Sequence, residues 1–191
     1  MKVKLNPAIE EFRGSLGELV FREVNGKVVA GRKARVTADP TEGQLQHRAR
    51  FKQAAAYGKT VMANPVVRPL YEAAAKVRKM PIYSVIVADY FNAPTIHSID
   101  LSQYTVQPDS IITVLASDDI EVTEVQVIIT NDQDALIESG FAAETAPGSG
   151  QWVYVAQTSS PLPTLKVKAI AKDRPGGITA KTEILERFQQ G

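Results

Sequence analysis

The residues with the strongest chemical potential are few and scattered. The chain has two histidines and no cysteine, so thiolate nucleophiles, disulfides and thiolate metal sites are excluded. His47 falls in a helical stretch between polar neighbours. His97 alternates with Ile96 and Ile99 in a strand-like run. Neither has a sequence-adjacent acid of evident role, so both read as surface or satisfied histidines rather than bases. No G-x-S-x-G elbow, P-loop or G-x-G-x-x-G fingerprint occurs. Gly14-x-x-Gly17 precedes a strand instead of opening a helix, which is the wrong place for a phosphate cradle. The acidic runs Asp118-Asp119 with Glu121, and Asp132 with Asp134, could offer oxygens to calcium. Calcium takes six to eight such ligands and neither run has EF-hand spacing, so solvated loops explain them better. Asp173, in KDRPGG, reads as a turn-ordering carboxylate. These residues imply no enzyme, metal, cofactor or small-molecule substrate.

Cations are more numerous and more organised. Residues 1–95 hold 16 lysines and arginines against 8 acids, and residues 96–191 hold 6 against 13, so a net +8 adjoins a net −7. Such asymmetry fits two modules with different partners, or self-association in which unlike ends attract, and equally a helical module that favours Lys and Arg beside a sandwich that exposes Asp and Glu in its loops. Arg48, Lys52 and Lys59, with Lys76, Arg78 and Lys79, are the candidate basic surface, accompanied by Arg50 and Arg68. Arg48 and Lys52 share a helix face at i,i+4, and phosphate binding needs such a cluster. Lys76, Arg78 and Lys79, toward the C-terminal end of RPLYEAAAKVRKM, also have a structural reading, because positive charge suits a helix C-terminus.

The elements that must position these residues follow from pattern. GSLGELVFREVNGKVVAGRK is two β-rich runs around Asn25-Gly26, a strong hairpin signal. A type I′ register sets Val24 opposite Lys27, Glu23 opposite Val28, Arg22 opposite Val29, Phe21 opposite Ala30 and Leu19 opposite Arg32. One face then carries Leu19, Phe21, Val28 and Ala30, and the other Val20, Val24 and Val29. Both are partly apolar. One face is therefore expected on the helices of its own module, and the other, or an edge, against another chain. The interface candidates are Val20, Phe21, Arg22, Val24, Val28 and Val29.

Thr41 and Gln44 form a T-x-x-Q capping box opening a helix from Glu42 to about Met62, with Leu45, Arg48, Phe51, Ala55 and Tyr57 at helical spacing. Asn64-Pro65 ends it. A second helix follows with Pro69 in its first turn and a stripe of Leu70, Ala73, Ala74 and Val77. Pro81 stops it. IYSVIVADYF is β-branched enough for a strand and long enough for a third helix, and Pro81 at N1 with the Asp89-Tyr90 end favours the helix. From Pro94 the pattern becomes short alternating strands: TIHSIDL, SIITVLAS, VTEVQVIIT, ALIESGFA, QWVYVAQ, TLKVKAIAK and ITAKTEIL, parted by turn clusters. Val122, Val125, Val127 and Ile129 are the inward candidates of the third, and Trp152 anchors the core. The expected fold is α+β. A module of one β-hairpin plus two or three helices spans 1–93, and an antiparallel sandwich spans 94–191.

TIHSIDLSQY, VTEVQVIITNDQDALIESGFA, QWVYVA and KAIAKDRPGG resemble bacterial immunoglobulin-like domains over about half the chain. That resemblance implies an Ig-like sandwich and leaves function open, since such domains serve as spacers, adhesins and assembly units. The N-terminal half is similar to uncharacterised bacterial proteins, prophage-associated ones included, with a Gly-x-x-Gly-x-x-Val-Phe hairpin before a Thr-x-x-Gln-x-x-x-Arg-x-x-Phe helix. Here these are Gly14, Gly17, Val20 and Phe21, then Thr41, Gln44, Arg48 and Phe51. Glu18 departs from the asparagine or lysine of that pattern.

The N-terminal stretch has no apolar h-region and no run reaches the roughly 18 residues of a membrane span. Cytoplasmic synthesis without a signal peptide is expected, with a place in a virion-like or secreted assembly open. The function expected is a non-enzymatic assembly subunit that forms homo-oligomers or joins other structural proteins. The alternative is nucleic-acid binding through the basic helices.

Overall fold

The computed structural model describes residues 14–24, 27–34, 39–160 and 162–186. The Asn25-Gly26 turn and residues 1–13, read above for a leader, lie outside the described residues. The chain divides into two compact units, 1–46 and 47–191.

In the first unit, β1 (Gly14–Leu16), β2 (Leu19–Val24) and β3 (Lys27–Arg32) form an antiparallel sheet in the order β1-β2-β3. The observed β2–β3 register is the expected one at every position, from Val24 opposite Lys27 to Leu19 opposite Arg32. Gly17, at φ 59, supplies the left-handed residue that the β1–β2 turn requires.

Helix α1 (Glu42–Ala63) starts with the reciprocal capping box. The Gln44 N–H donates to Thr41 Oγ1 at 3.3 Å and the Thr41 N–H to Gln44 Oε1 at 3.1 Å. Its buried line is Ala54, Gly58 and Val61, with Tyr57 half-buried, whereas Leu45 and Phe51 are exposed. The line is offset from the expected one because α1 meets its neighbour through a glycine. A Cβ at Gly58 would stand 2.8 Å from the Tyr83 ring. Asn64 stops α1, its Oδ1 accepting the amides of Val66 and Val67.

Helix α2 (Arg68–Arg78) carries Pro69 in its first turn and ends at Lys79, left-handed at φ 53, with the Lys79 and Met80 amides closing onto Lys76 and Ala75. The apolar stripe read from sequence needs correction here. Tyr71 and Ala75 are buried, whereas Leu70 and Val77 are exposed, because the Tyr71 hydroxyl reaches an inward partner. Helix α3 (Ile82–Phe91) takes Pro81 as its N-cap rather than its first residue. Val85, Ile86, Tyr71 and Val61 form the core of this helical layer.

The remaining strands make two four-stranded antiparallel sheets. One runs β4 (Thr95–Asp100), β5 (Ile111–Ser117), β9 (Gln151–Val155), β8 (Ala143–Glu144). The other runs β11 (Ile178–Glu186), β10 (Thr164–Asp173), β6 (Val122–Asn131), β7 (Leu136–Phe141). They share one core. Ile112, Val114, Trp152 and Tyr154 from the first interleave with Val125, Val127, Ile129, Leu165 and Val167 from the second. Three of the four inward candidates of β6 are buried and Val122 packs at the margin. The fold is thus mixed α+β and rich in sheet. Val106, between β4 and β5, is 1% exposed yet sits at φ 64, a strained geometry for a β-branched residue.

Candidate interaction surfaces

The six hairpin candidates lie on one small sheet but split between its faces. Phe21 and Val28 are half-buried on the face that also holds exposed Leu16 and Leu19. Val20, Arg22, Val24 and Val29 lie on the other, where Val20 is half-buried and Arg22 is exposed. Leu16 is 65% exposed, Leu19 42%, Val24 45% and Val29 42%, so neither face is closed. Among the described residues, β1 and β3 each pair on one side only. The Lys33 amide extends the sheet by donating to the Glu18 carbonyl at 2.6 Å.

Of the six basic candidates, Arg48, Lys52 and Lys59 share one exposed line of α1 at i, i+4 and i+11, about 16 Å long at 1.5 Å per residue. That line lies opposite Ala54 and Val61. Lys76 is exposed on α2 and Lys79 occupies its cap. Arg78 is committed elsewhere, donating to the Asp119 carbonyl at 2.6 Å and to Asp119 Oδ1 at 3.1 Å. Arg50 donates to the Phe91 carbonyl and lies 4.7 Å from that ring, while Arg68 pairs with Glu72.

The histidines are engaged. His47 stacks on Phe91 at 5.4 Å, and His97 Nε2 lies 2.7 Å from Ser117 Oγ. His97 occupies a β-bulge between Ile96 and Ser98, which turns its side chain toward β5.

The first acidic run is where the sequence reading of a solvated loop fails. Asp118 Oδ2 accepts the Ile120 and Glu121 amides, and Asp119 accepts from Arg78 and from Asn92 Nδ2 at 2.5 Å. Glu121 accepts twice from Arg174, and Ile120 packs on the helical core. The loop is a clasp between the helices and the sandwich. Asp132 and Asp134 are exposed, and Asp134 meets Lys166 at 2.7 Å. Among the described residues, no group of three or more His, Cys, Asp or Glu side chains could hold a metal ion. Asp173 orders its turn as expected, Oδ1 accepting the Gly176 and Gly177 amides.

Sequence reasoning missed the polar chain inside the helical layer. Tyr57 Oη lies 2.9 Å from Tyr71 Oη, and the Tyr71 hydroxyl donates to Asp89 Oδ2 at 2.5 Å. Burial, then the bonds to Asp89 and Tyr57, pushes the Tyr71 hydroxyl far above its ordinary pKa, so it stays protonated. Burial likewise raises Asp89, to about 7, against the lowering effect of the Tyr71 bond. An apolar helix with one acid near its end was the available signal. Also missed was a cleft of about 720 Å³ in which Leu70, Ala73 and Ala74 of α2 face Leu115, Ile120 and Glu144. Of the acids that line it, Glu144 accepts the Gly148 and Gly150 amides, and Asp118, Asp119 and Glu121 are engaged in the loop contacts given above.

No family model matches the chain, and no curated protein matches it. Among solved structures, CopC from Methylosinus trichosporium OB3b is similar at a TM-score of 0.39 and 13% identity, over 49% of this chain and 92% of that one. An engineered protein is similar at a TM-score of 0.39 and 17% identity, over 56% of this chain and 27% of that one. Likeness of this degree carries neither fold nor function across.

Proposed function

We propose that the chain is a non-enzymatic assembly subunit. It associates with copies of itself, or docks on a larger structural complex such as a phage-like particle, injection apparatus or filament, through its three-stranded sheet. The observation that carries this reading is the state of that sheet: apolar side chains stand exposed on both faces, and both outer strands pair on one side only among the described residues. A strand edge with open N–H and C=O groups is a template for another chain, and so small a sheet gains most from a partner for its apolar faces. The opposite charges of the two halves favour contact between unlike ends of neighbouring copies.

The sandwich is read as an immunoglobulin-like body. Its support is the strand order: β4-β5-β9-β8 against β11-β10-β6-β7 corresponds, in chain order, to A-B-E-D against G-F-C-C′. The resemblance of the hairpin and capping-box motif to uncharacterised bacterial proteins, prophage-associated ones included, is consistent with the assembly role.

Size-exclusion chromatography with light scattering tests the reading. The full chain should form concentration-dependent oligomers, and the double variant V24K/V29K should shift them toward monomer while leaving the sandwich's Trp152 signal unchanged. Oligomers indifferent to that change would remove the hairpin sheet as the interface. A second reading, nucleic-acid binding, rests on the line of Arg48, Lys52 and Lys59. It predicts a mobility shift of random DNA or RNA at low salt that R48A/K52A/K59A abolishes; no shift at low salt eliminates it.

A further inference from the structure

The junction between the helical layer and the sandwich holds more buried carboxylate oxygens than it has donors. Asp89 is 0% exposed. Its Oδ2 accepts from Tyr71, and since Tyr71 has only that one proton, Tyr57 donates to Tyr71. Asp89 Oδ1 meets no donor, and neither does the buried Oδ1 of Asp118, a neighbour close enough to push the Asp89 carboxyl up. Two ionised carboxylates facing each other away from water repel strongly, whereas one proton between them satisfies both oxygens. Asp118 Oδ2 is held by the Ile120 and Glu121 amides, so Asp118 is oriented as an acceptor.

We propose that Asp89 carries a proton and donates it from Oδ1 to Asp118 Oδ1, making Tyr57–Tyr71–Asp89–Asp118 a protonation-dependent latch between all three helices and the loop that follows β5.

The surroundings agree. Burial, outweighing the Tyr71 bond and assisted by Asp118 and Asp173, brings Asp89 up to about 7. Tyr71 from α2 and Asp173 from the end of β10 act on Asp89, while Arg174, just after β10, acts on Tyr57 of α1. Asp173 is itself 1% exposed with an unpartnered Oδ2, and burial raises its pKa too. Arg174 is engaged by Glu121 at 2.6 Å, and Arg78 by Asp119. Among the described residues the oxygens of the pair meet the Tyr71 hydroxyl and the Ile120 and Glu121 amides but no cation, so the proton balances the pair.

The sign follows from linkage. An acid raised in the folded state stabilises fully below its unfolded value, about 4, and that stability is lost as pH rises through about 7. Asp89→Asn copies the protonated acid, with an amide N–H for Asp118 and a carbonyl oxygen for Tyr71. Thermal unfolding of the full chain, followed through Trp152, should show the wild-type midpoint falling by about 4–8 °C between about pH 5 and pH 8. D89N should stay nearly level and be the more stable at the upper end. Carboxyl ¹³C NMR of the wild type should show the Asp89 signal moving in a transition near neutrality. Parallel pH profiles for wild type and D89N, or an Asp89 signal titrating at an ordinary carboxylate value, would overturn the proposal. If D89N does not fold, the NMR titration alone decides.

Discussion

Glu138 shows how a single buried residue joins the two sheets. It projects inward from β7, 9% exposed, and its two oxygens accept four hydrogen bonds. The Tyr154 hydroxyl from the facing sheet and the Gln157 amide reach Oε1, while the Thr158 amide and hydroxyl reach Oε2, at 2.5–3.0 Å. Gly140 makes this possible, because a Cβ there would stand 2.8 Å from the Tyr154 ring. Burial pushes the Glu138 pKa up, but the bonds together outweigh it and hold the carboxyl below its ordinary value. Glu138→Gln turns an amide donor toward donors on one side, which should cost about 2–4 kcal/mol in urea unfolding near neutrality. A depressed acid stabilises above its unfolded value, about 4.5, and loses that contribution as pH falls through the folded one. The gap between wild type and variant should therefore narrow toward pH 3; an unchanged gap would assign the loss to packing. None of this was legible in ALIESGFA, because a lone glutamate in a strand reads as outward until the facing tyrosine is known.

Among the elements, those specified by local chemistry were legible and those specified by distant partners were not. The β2–β3 register follows from Asn25-Gly26 and strand alternation, and the start of α1 from a capping box that closes on itself. The buried stripe of α2 was misread, since Leu70 and Val77 look more apolar than Tyr71 and only the Tyr71–Asp89 bond reverses the order. The loop Asp118–Glu121 was misread likewise, because Arg78, Asn92 and Arg174 lie far away in the chain. Asp119→Ala should lower stability by about 1–2 kcal/mol, a figure reduced from a fully buried charged bond because both partners retain a quarter to a third of their exposure. Hydrogen exchange should quicken at the end of α2 and the start of β4. A loss spread evenly over the sandwich would instead make the loop part of the global core.

For the whole molecule, the α+β content and the sandwich strands were readable from the change in periodicity at Pro94, whereas the joining of the helices to the sandwich in one unit, 47–191, depends on that clasp. Among the described residues no helix is long and apolar enough to cross a membrane. Under the assembly proposal, the charge of +8 on residues 1–95 and −7 on 96–191 leaves little net repulsion between copies and favours attraction between their oppositely charged segments. Such attraction weakens with salt, while apolar contact through Leu16, Leu19, Val24 and Val29 does not. Light scattering on the full chain, from low micromolar to near-millimolar and at low and high salt, is the most direct measurement. The assembly account predicts a mass that rises above the 20.8 kDa monomer with concentration and falls in part with salt. A mass held at 20.8 kDa under every condition would contradict it.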